Sequence, residues 1–186
     1  MRIISGQYKG RVLKTCSGPG YRPATGKVRE SVFSMLESRG IDWSRTRVLD
    51  VFAGSGSLAF ECLSRGAEYA LFIEKNSKAC SVIRENISLL GICSEKVQVL
   101  KVDVLKFLSS SLDHSFDMIF VDPPYGKNLL EPTLDSLFQK DLLGRNGFIC
   151  AEIEADLDFD PGNLLHAELI KDKQFGQTRI LIWKKK

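Results

Sequence analysis

The sequence is poor in the residues from which metal centres and nucleophilic triads are built. Only two histidines, His114 and His166, occur in 186 residues, and neither has a partner at a spacing that suggests a metal site or a Ser/Cys–His pair. The five cysteines, Cys16, Cys62, Cys80, Cys93 and Cys150, are odd in number, scattered and without a CxxC. That distribution argues against a disulfide framework and a zinc site and agrees with a reducing compartment. No apolar run approaches the roughly 20 residues needed to cross a bilayer, and Met1-Arg2-Ile3-Ile4-Ser5-Gly6 lacks the apolar core of a secretion signal. Internal repeats and low-complexity stretches are missing as well. The expectation is a soluble, cytoplasmic protein with no membrane partner and no metal.

With 44% hydrophobic and 26% charged residues, the chain can bury one well-formed core. Its net charge of +3 is unevenly spread. Residues 1–47 carry ten Lys/Arg against Glu30, Glu37 and Asp42, a balance of +7, whereas residues 48–186 carry 16 against 20, a balance of −4. A basic front on an acidic body suits contact with a polyanion, or serves only as a solubilising surface.

Residues 2–15 read as a short β-hairpin turning between Gly6 and Gly10, and Ser17-Gly18-Pro19-Gly20 as a loop. Thr25 suits the N-cap of a helix whose apolar stripe is Val28, Val32, Met35 and Leu36, and which Gly40 ends. From Arg47 strands and helices alternate. Strands are expected at 48–52, 69–74, 97–102, 116–121 and 147–153, and helices at 57–65, 76–90 (capped by Asn76), 104–112 and 129–138. The runs 164–171 and 178–183 leave no room for a helix between them, so they form an antiparallel hairpin at the end of an otherwise parallel sheet. The fold class is α/β, a doubly wound, mostly parallel seven-stranded sheet. The organisation is a basic extension over residues 1–46 and a ligand-binding domain over residues 47–186.

Two stretches carry chemistry. Asp122-Pro123-Pro124-Tyr125 leaves the fourth strand, and two prolines without N–H donors make it a stiff, extended turn. A carboxylate, bare carbonyls and an aromatic ring then suit a flat, amine-bearing ring, with Asp122 and the Pro123 carbonyl accepting its N–H groups and Tyr125 stacking on its face. The second stretch, Asp50-Val51-Phe52-Ala53-Gly54-Ser55-Gly56, places a Gly-x-Gly turn between the first strand and its helix, where backbone can approach a ligand closely.

Glu74 ends the second strand at the spacing of an acid that accepts from ribose hydroxyls. Both features also fit an NAD site. Asp50 separates the readings, because a carboxylate at the glycine turn repels a pyrophosphate and complements an ammonium or sulfonium. S-adenosylmethionine carries both. Asp103, after the third strand, can accept from an adenine amino group, with Val104 offering backbone N–H. At the crossover of a doubly wound sheet, the first and fourth strands bring Gly54–Gly56 beside Asp122–Tyr125. One other motif, Asp156-Leu157-Asp158-Phe159-Asp160, imitates the start of an EF-hand, but Pro161 intrudes and Ala167 stands where the terminal Glu is needed.

Asp50-x-Phe52-x-Gly54-x-Gly56, Glu74, Asp103 and Asp122-Pro123-Pro124-Tyr125 resemble the motifs of class I (Rossmann-like) S-adenosylmethionine-dependent methyltransferases acting on exocyclic amines. Arg2-Ile3-Ile4-Ser5-Gly6, Gly10-Arg11, Arg22-Pro23, Val28-Arg29-Glu30-Ser31-Val32-Phe33, Leu63-Ser64-Arg65-Gly66-Ala67 and Phe175-Gly176-Gln177-Thr178-Arg179 resemble, more narrowly, the bacterial RsmD family of 16S rRNA (guanine-N2)-methyltransferases. Ala24, Gly26 and Ser34 depart from that family's pattern.

The resemblance implies methyl transfer to guanine N2 with Asp122, Pro123 and Tyr125 at the reacting amine. S-adenosylmethionine would be held by Asp50, Phe52, Gly54, Gly56, Glu74, Asp103, Val104 and Asp122. The basic front, Arg2, Lys9, Arg11, Lys14, Arg22, Lys27 and Arg29, with Arg179 at the closing hairpin, would meet RNA phosphates, or Arg22 and Arg29 would instead pair structurally with Glu30 or Glu37. It also implies a monomer acting on 16S rRNA in an assembled or late-assembly small subunit. The rival readings are adenine-N6 methylation, which shares the Asp-Pro-Pro-Tyr chemistry, and a non-catalytic nucleotide-binding RNA chaperone.

Overall fold

A computed structural model describes residues 1–16, 26–110, 115–162, 164 and 166–186. Twelve regular elements follow one another as α1 (Gly26–Glu37), β1 (Arg47–Asp50), α2 (Ser57–Arg65), β2 (Tyr69–Glu74), α3 (Ser77–Leu90), β3 (Val97–Lys101), α4 (Val104–Ser109), β4 (Phe116–Val121), α5 (Leu130–Gln139), β5 (Leu143–Glu154), β6 (Ala167–Phe175) and β7 (Thr178–Lys185). The strands form one sheet in the order β3-β2-β1-β4-β5-β7-β6. β1 to β5 are mutually parallel, and β7 pairs antiparallel with both β5 and β6. The doubly wound sheet with a closing hairpin is therefore the observed architecture. No helix among the described residues is long and apolar enough to cross a membrane.

The central strands β1, β2 and β4 are apolar on both sides because helices cover both faces, whereas the edge strands β3 and β6 are partly exposed. Val48, Phe72, Met118, Phe120, Phe148 and Cys150 face a layer built from α1, α2 and α3, whereas Leu49, Ile73, Ile119, Val121 and Ile149 face α4 and α5. Helix ends follow local chemistry. The Asn76 side chain accepts from the N–H groups of Lys78 and Ala79 at the start of α3, and Gly91 (φ 66°) closes that helix in the left-handed region. Asp103 caps α4 through the Leu105 N–H at 3.0 Å. Thr25, read as the cap of α1, lies outside the described residues.

The structure alters several boundaries. β5 begins earlier than the expected residue 147, because Leu143 pairs with Phe116 before the register shifts and Phe148 takes up pairing with Met118. α4 ends at Ser109, short of the expected residue 112. The N-terminal hairpin is reduced to one antiparallel bridge, Arg2 with Val12, held by Ile3 N–H to Arg11 O and Gly10 N–H to Ile3 O.

That short segment is anchored by side chains instead. Ile3 and Leu13 enter the same core layer as Phe33 and Phe120. Glu61 accepts from the N–H groups of Ile4 (2.8 Å) and Ser5 (2.9 Å). The Ser64 hydroxyl accepts from Tyr8 N–H at 3.0 Å, and Asn86 exchanges two hydrogen bonds with the Lys14 backbone. Gly6 sits so close to α2 that a Cβ there would fall 1.8 Å from the Ser64 carbonyl oxygen. No residue with a side chain fits.

Candidate active site

The parallel pairing of β1 with β4, with Asp50 opposite Phe120, brings the turns after these strands to the same edge of the sheet. In the turn after β1, Val51 N–H donates to Phe120 O and Ala53 N–H to Ile73 O. Gly54 and Gly56 both adopt positive φ (53° and 78°). A Cβ on Gly56 would meet the Phe60 ring at 2.7 Å and the Phe72 ring at 2.9 Å, so this turn keeps a bare backbone at the opening of α2.

Acids surround the turn. Glu74 accepts from Gly54 N–H through Oε2 (2.9 Å) and from Asn76 N–H through Oε1 (2.7 Å). Each oxygen retains a further lone pair for a ligand. Asp50 is only 2% exposed. Burial, reinforced by Glu74, pushes its carboxyl up to about 7, although the backbone N–H groups of Phe52 and Ala59 pull the other way. Asp103 is half-buried with one oxygen committed to its cap, Phe52 is half-buried, and Val104 is buried at the first position of α4.

On the β4 side, Pro123 is buried and Asp122 half-buried. The Tyr125 hydroxyl lies 3.2 Å from the Thr178 hydroxyl, and Gly126 N–H donates to Glu154 at 2.7 Å. These bonds tie the Asp-Pro-Pro-Tyr turn to β5 and β7. Burial holds the Asp122 carboxyl well above the ordinary range, with the charges of Glu152 and then Asp50 adding to it. Burial likewise lifts Glu152 to about 7.

Sequence reasoning missed Glu152, Glu154 and Thr178. Glu152 had a detectable signal, a charge inside the apolar run Phe148-Ile149-Cys150-Ala151-Glu152-Ile153. Thr178 and Glu154 had none, since their role follows from being paired across β5 and β7.

The basic residues divide. Arg2, Lys9, Arg11 and Lys27 are exposed, with Arg2 and Arg11 each donating one bond to a carbonyl, of Gly10 and Leu89. Lys14 pairs with Glu85 at 2.7 Å, and Arg179 forms a two-pronged pair with Asp172 at 2.6 and 2.9 Å. Arg22 lies outside the described residues. Arg29 requires a correction. Expected at the RNA-facing surface, it is 2% exposed, because it continues the buried stripe of Val32, Phe33 and Leu36. Its Nη2 donates to Arg2 O at 2.9 Å, while Nε and Nη1 are buried without a hydrogen-bond partner among the described residues. A phosphate on the outer surface cannot reach it.

Comparison with known proteins gives one consistent picture. The family described as Conserved hypothetical protein 95 matches residues 1–184. A protein of Escherichia coli strain K12 named Ribosomal RNA small subunit methyltransferase D is 33% identical over 187 residues, covering 100% of this chain and 90% of that one. Its namesake from Haemophilus influenzae is 35% identical over 157 residues, covering 84% and 80%. Among solved structures, a candidate methyltransferase, yhhF, from Escherichia coli superposes with a TM-score of 0.85 at 31% identity, covering 100% of this chain and 98% of that one.

Proposed function

The chain belongs to the family described as Conserved hypothetical protein 95, and on that premise we propose that it transfers a methyl group from S-adenosylmethionine to the exocyclic N2 amine of a guanine in small-subunit ribosomal RNA. The observation that carries this reading is the pairing of β1 with β4, which sets a rigid Asp-Pro-Pro-Tyr turn beside an acid-lined glycine turn. Small-subunit ribosomal RNA as substrate is supported by the names of relatives that match along most of their length.

The site fits S-adenosylmethionine better than a dinucleotide. Gly56 lets the turn pack directly on the Phe60 and Phe72 rings, where a Cβ would clash. The charged groups at the glycine turn are the carboxyls of Asp50 and Glu74, which complement a cation and hydroxyls and oppose a pyrophosphate. Asp50 would take the cationic end, Glu74 the ribose, and Asp103 with the Val104 N–H the adenine. When bound, the group supplies an electrophilic methyl.

The chain's own residues handle the amine. Its lone pair is delocalised into the guanine ring, so an acceptor must draw the N–H groups out of that plane. Asp122 and the Pro123 carbonyl would accept those two N–H groups, orient the lone pair and stabilise positive charge developing on nitrogen. The Tyr125 ring, braced by Thr178, would stack on the base, a contact of about 1–3 kcal/mol. Residues 1–46 would serve as the RNA-facing extension through Arg2, Lys9, Arg11 and Lys27.

Labelled methyl transfer to small subunits and to naked 16S rRNA lacking the modification, followed by nucleoside analysis, tests the reading. N2-methylguanosine is expected. N6-methyladenosine in its place, or no transfer to either acceptor, overturns it.

A further inference from the structure

One buried carboxyl is left without a task by the chemistry above. Glu152 lies on β5, 7% exposed, and no described residue donates a hydrogen bond to it. Its place in the sheet is informative. Val121 of β4 pairs with Ala151 of β5, so the next residue on each strand, Asp122 and Glu152, follows at the same level. Neighbouring strands lie about 4.8 Å apart. Both side chains turn to the face that Phe120 and Cys150 share, since side chains alternate along a strand. Asp122 and Glu152 together line a narrow void of about 10 Å³ with Arg29, Val32, Leu58, Val121, Cys150 and Ile180.

We propose that Glu152 is a positioning residue for Asp122: the two carboxyls share one proton between β4 and β5, and that proton keeps an Asp122 oxygen fixed and able to receive the proton released by the methylated amine. This rests on the function proposed above. Two adjacent carboxyls, one half-buried and one buried, hold a single proton more firmly than either holds one alone.

The charged and titratable groups around the pair are few. Asp50 comes from β1, Cys150 and Glu154 from β5, Tyr125 from the turn after β4, and Arg29 from α1. Leu58 of α2 and Ile180 of β7 close the remaining sides with hydrocarbon. Among the described residues lining the void Arg29 is the one cation, and the carboxylate whose charge acts on it is Glu61 of α2.

The proton balance follows. Before transfer the pair holds one proton on Glu152, and the Asp122 carboxylate accepts an amine N–H. The sulfur–methyl bond breaks as the nitrogen–methyl bond forms, the sulfonium becomes a neutral thioether, and the nitrogen becomes cationic. Its surplus proton passes to Asp122, leaving the pair neutral until one proton returns to solvent. Glu152 thus holds the Asp122 carboxylate in place, with one oxygen free for the amine, without touching the substrate.

The first test needs no substrate. Carbon-13 NMR of the side-chain carboxyls in the free protein, followed against pH, should show Asp122 titrating above the ordinary carboxylate range. In Glu152→Gln, which keeps the shape and removes the charge, its midpoint should fall by about one pH unit or more, a tenfold weaker proton affinity. An unchanged Asp122 midpoint overturns the proposal.

Single-turnover methyl transfer supplies the second test. The wild-type rate should fall about tenfold per pH unit once the shared proton is lost, and this alkaline limb should disappear in Glu152→Gln, whose amide cannot lose a proton, with affinity for S-adenosylmethionine unchanged. A rate lowered equally at every pH marks a merely structural residue and also overturns it. Should the amide variant not fold, Glu152→Asp decides: an alkaline limb kept near the wild-type position supports the shared proton, and a lost limb refutes it. If the wild-type protein methylates no guanine N2, the proposed function fails while the NMR titration still decides the pairing.

Discussion

Glu61 and Glu152 are both buried glutamates in one core layer, and they are treated in opposite ways. Glu61, fully buried on α2, accepts from two backbone N–H groups of the N-terminal segment and from the Arg65 guanidinium at 2.9 Å. Arg65 in turn reaches Glu37 and lies 4.6 Å from the centre of the Phe33 ring. Glu152 receives no donor among the described residues and faces another acid. Arg29 differs from Arg65 in the same way, with two buried nitrogens left unbonded among the described residues. Full bonding lets Glu61 serve as a clamp, a role open neither to Glu152 nor to Arg29.

The strongest way to break this contrast is at Asp122, on the under-bonded side. Asp122→Ala should lower methyl transfer by about a thousandfold or more with S-adenosylmethionine binding retained by calorimetry; wild-type turnover would remove Asp122 from the chemistry. On the fully bonded side, Glu61→Ala strips Arg65 of a buried partner and frees two N–H groups. It should cost about 3–5 kcal/mol of folding stability, measured by denaturant unfolding, and a loss below about 1 kcal/mol would mean the clamp is ornamental.

Asp50, buried like Glu61 and Glu152, should make ligand binding depend on pH. Its carboxyl sits at about 7, so it is largely protonated at pH 6 and ionised at pH 8, and a cationic ligand favours the ionised form. S-adenosylmethionine affinity should therefore rise by about tenfold from pH 6 to pH 8, and the rise should flatten in Asp50→Asn. A pH-independent affinity in the wild type would contradict the assignment. The smallest effect concerns the exposed cations. Lys9→Ala should reduce the slope of log affinity for 16S rRNA against log salt by up to about one, whereas Lys14→Ala, whose ammonium already pairs with Glu85, should change it less.

Much of the fold was legible because it depends on local pattern. Apolar runs, the Asn76 cap and the glycine turn are short-range features, and the absence of room for a helix before Thr178 dictated the antiparallel hairpin. Asp50, Gly54, Gly56 and Glu74 could be gathered from strand ends alone, since a doubly wound sheet places its ligand where such ends converge. Arg29 was misread although its spacing to Val32, Phe33 and Leu36 follows the helical repeat. An arginine in an apolar stripe is taken for an edge residue until the backbone of Arg2 is seen bonded to it.

The order of apolar runs, glycines, prolines and strand-end acids determined by itself the sheet, the crossover and the family of chemistry. Tertiary structure alone decided which charges are satisfied. Hydrogen-bond partners such as Ile4 for Glu61, and neighbours such as Asp122 for Glu152, come from segments far apart in the chain. Their proximity depends on strand order and register, and in a dry interior that proximity determines whether a carboxyl acts as a clamp or as a proton carrier.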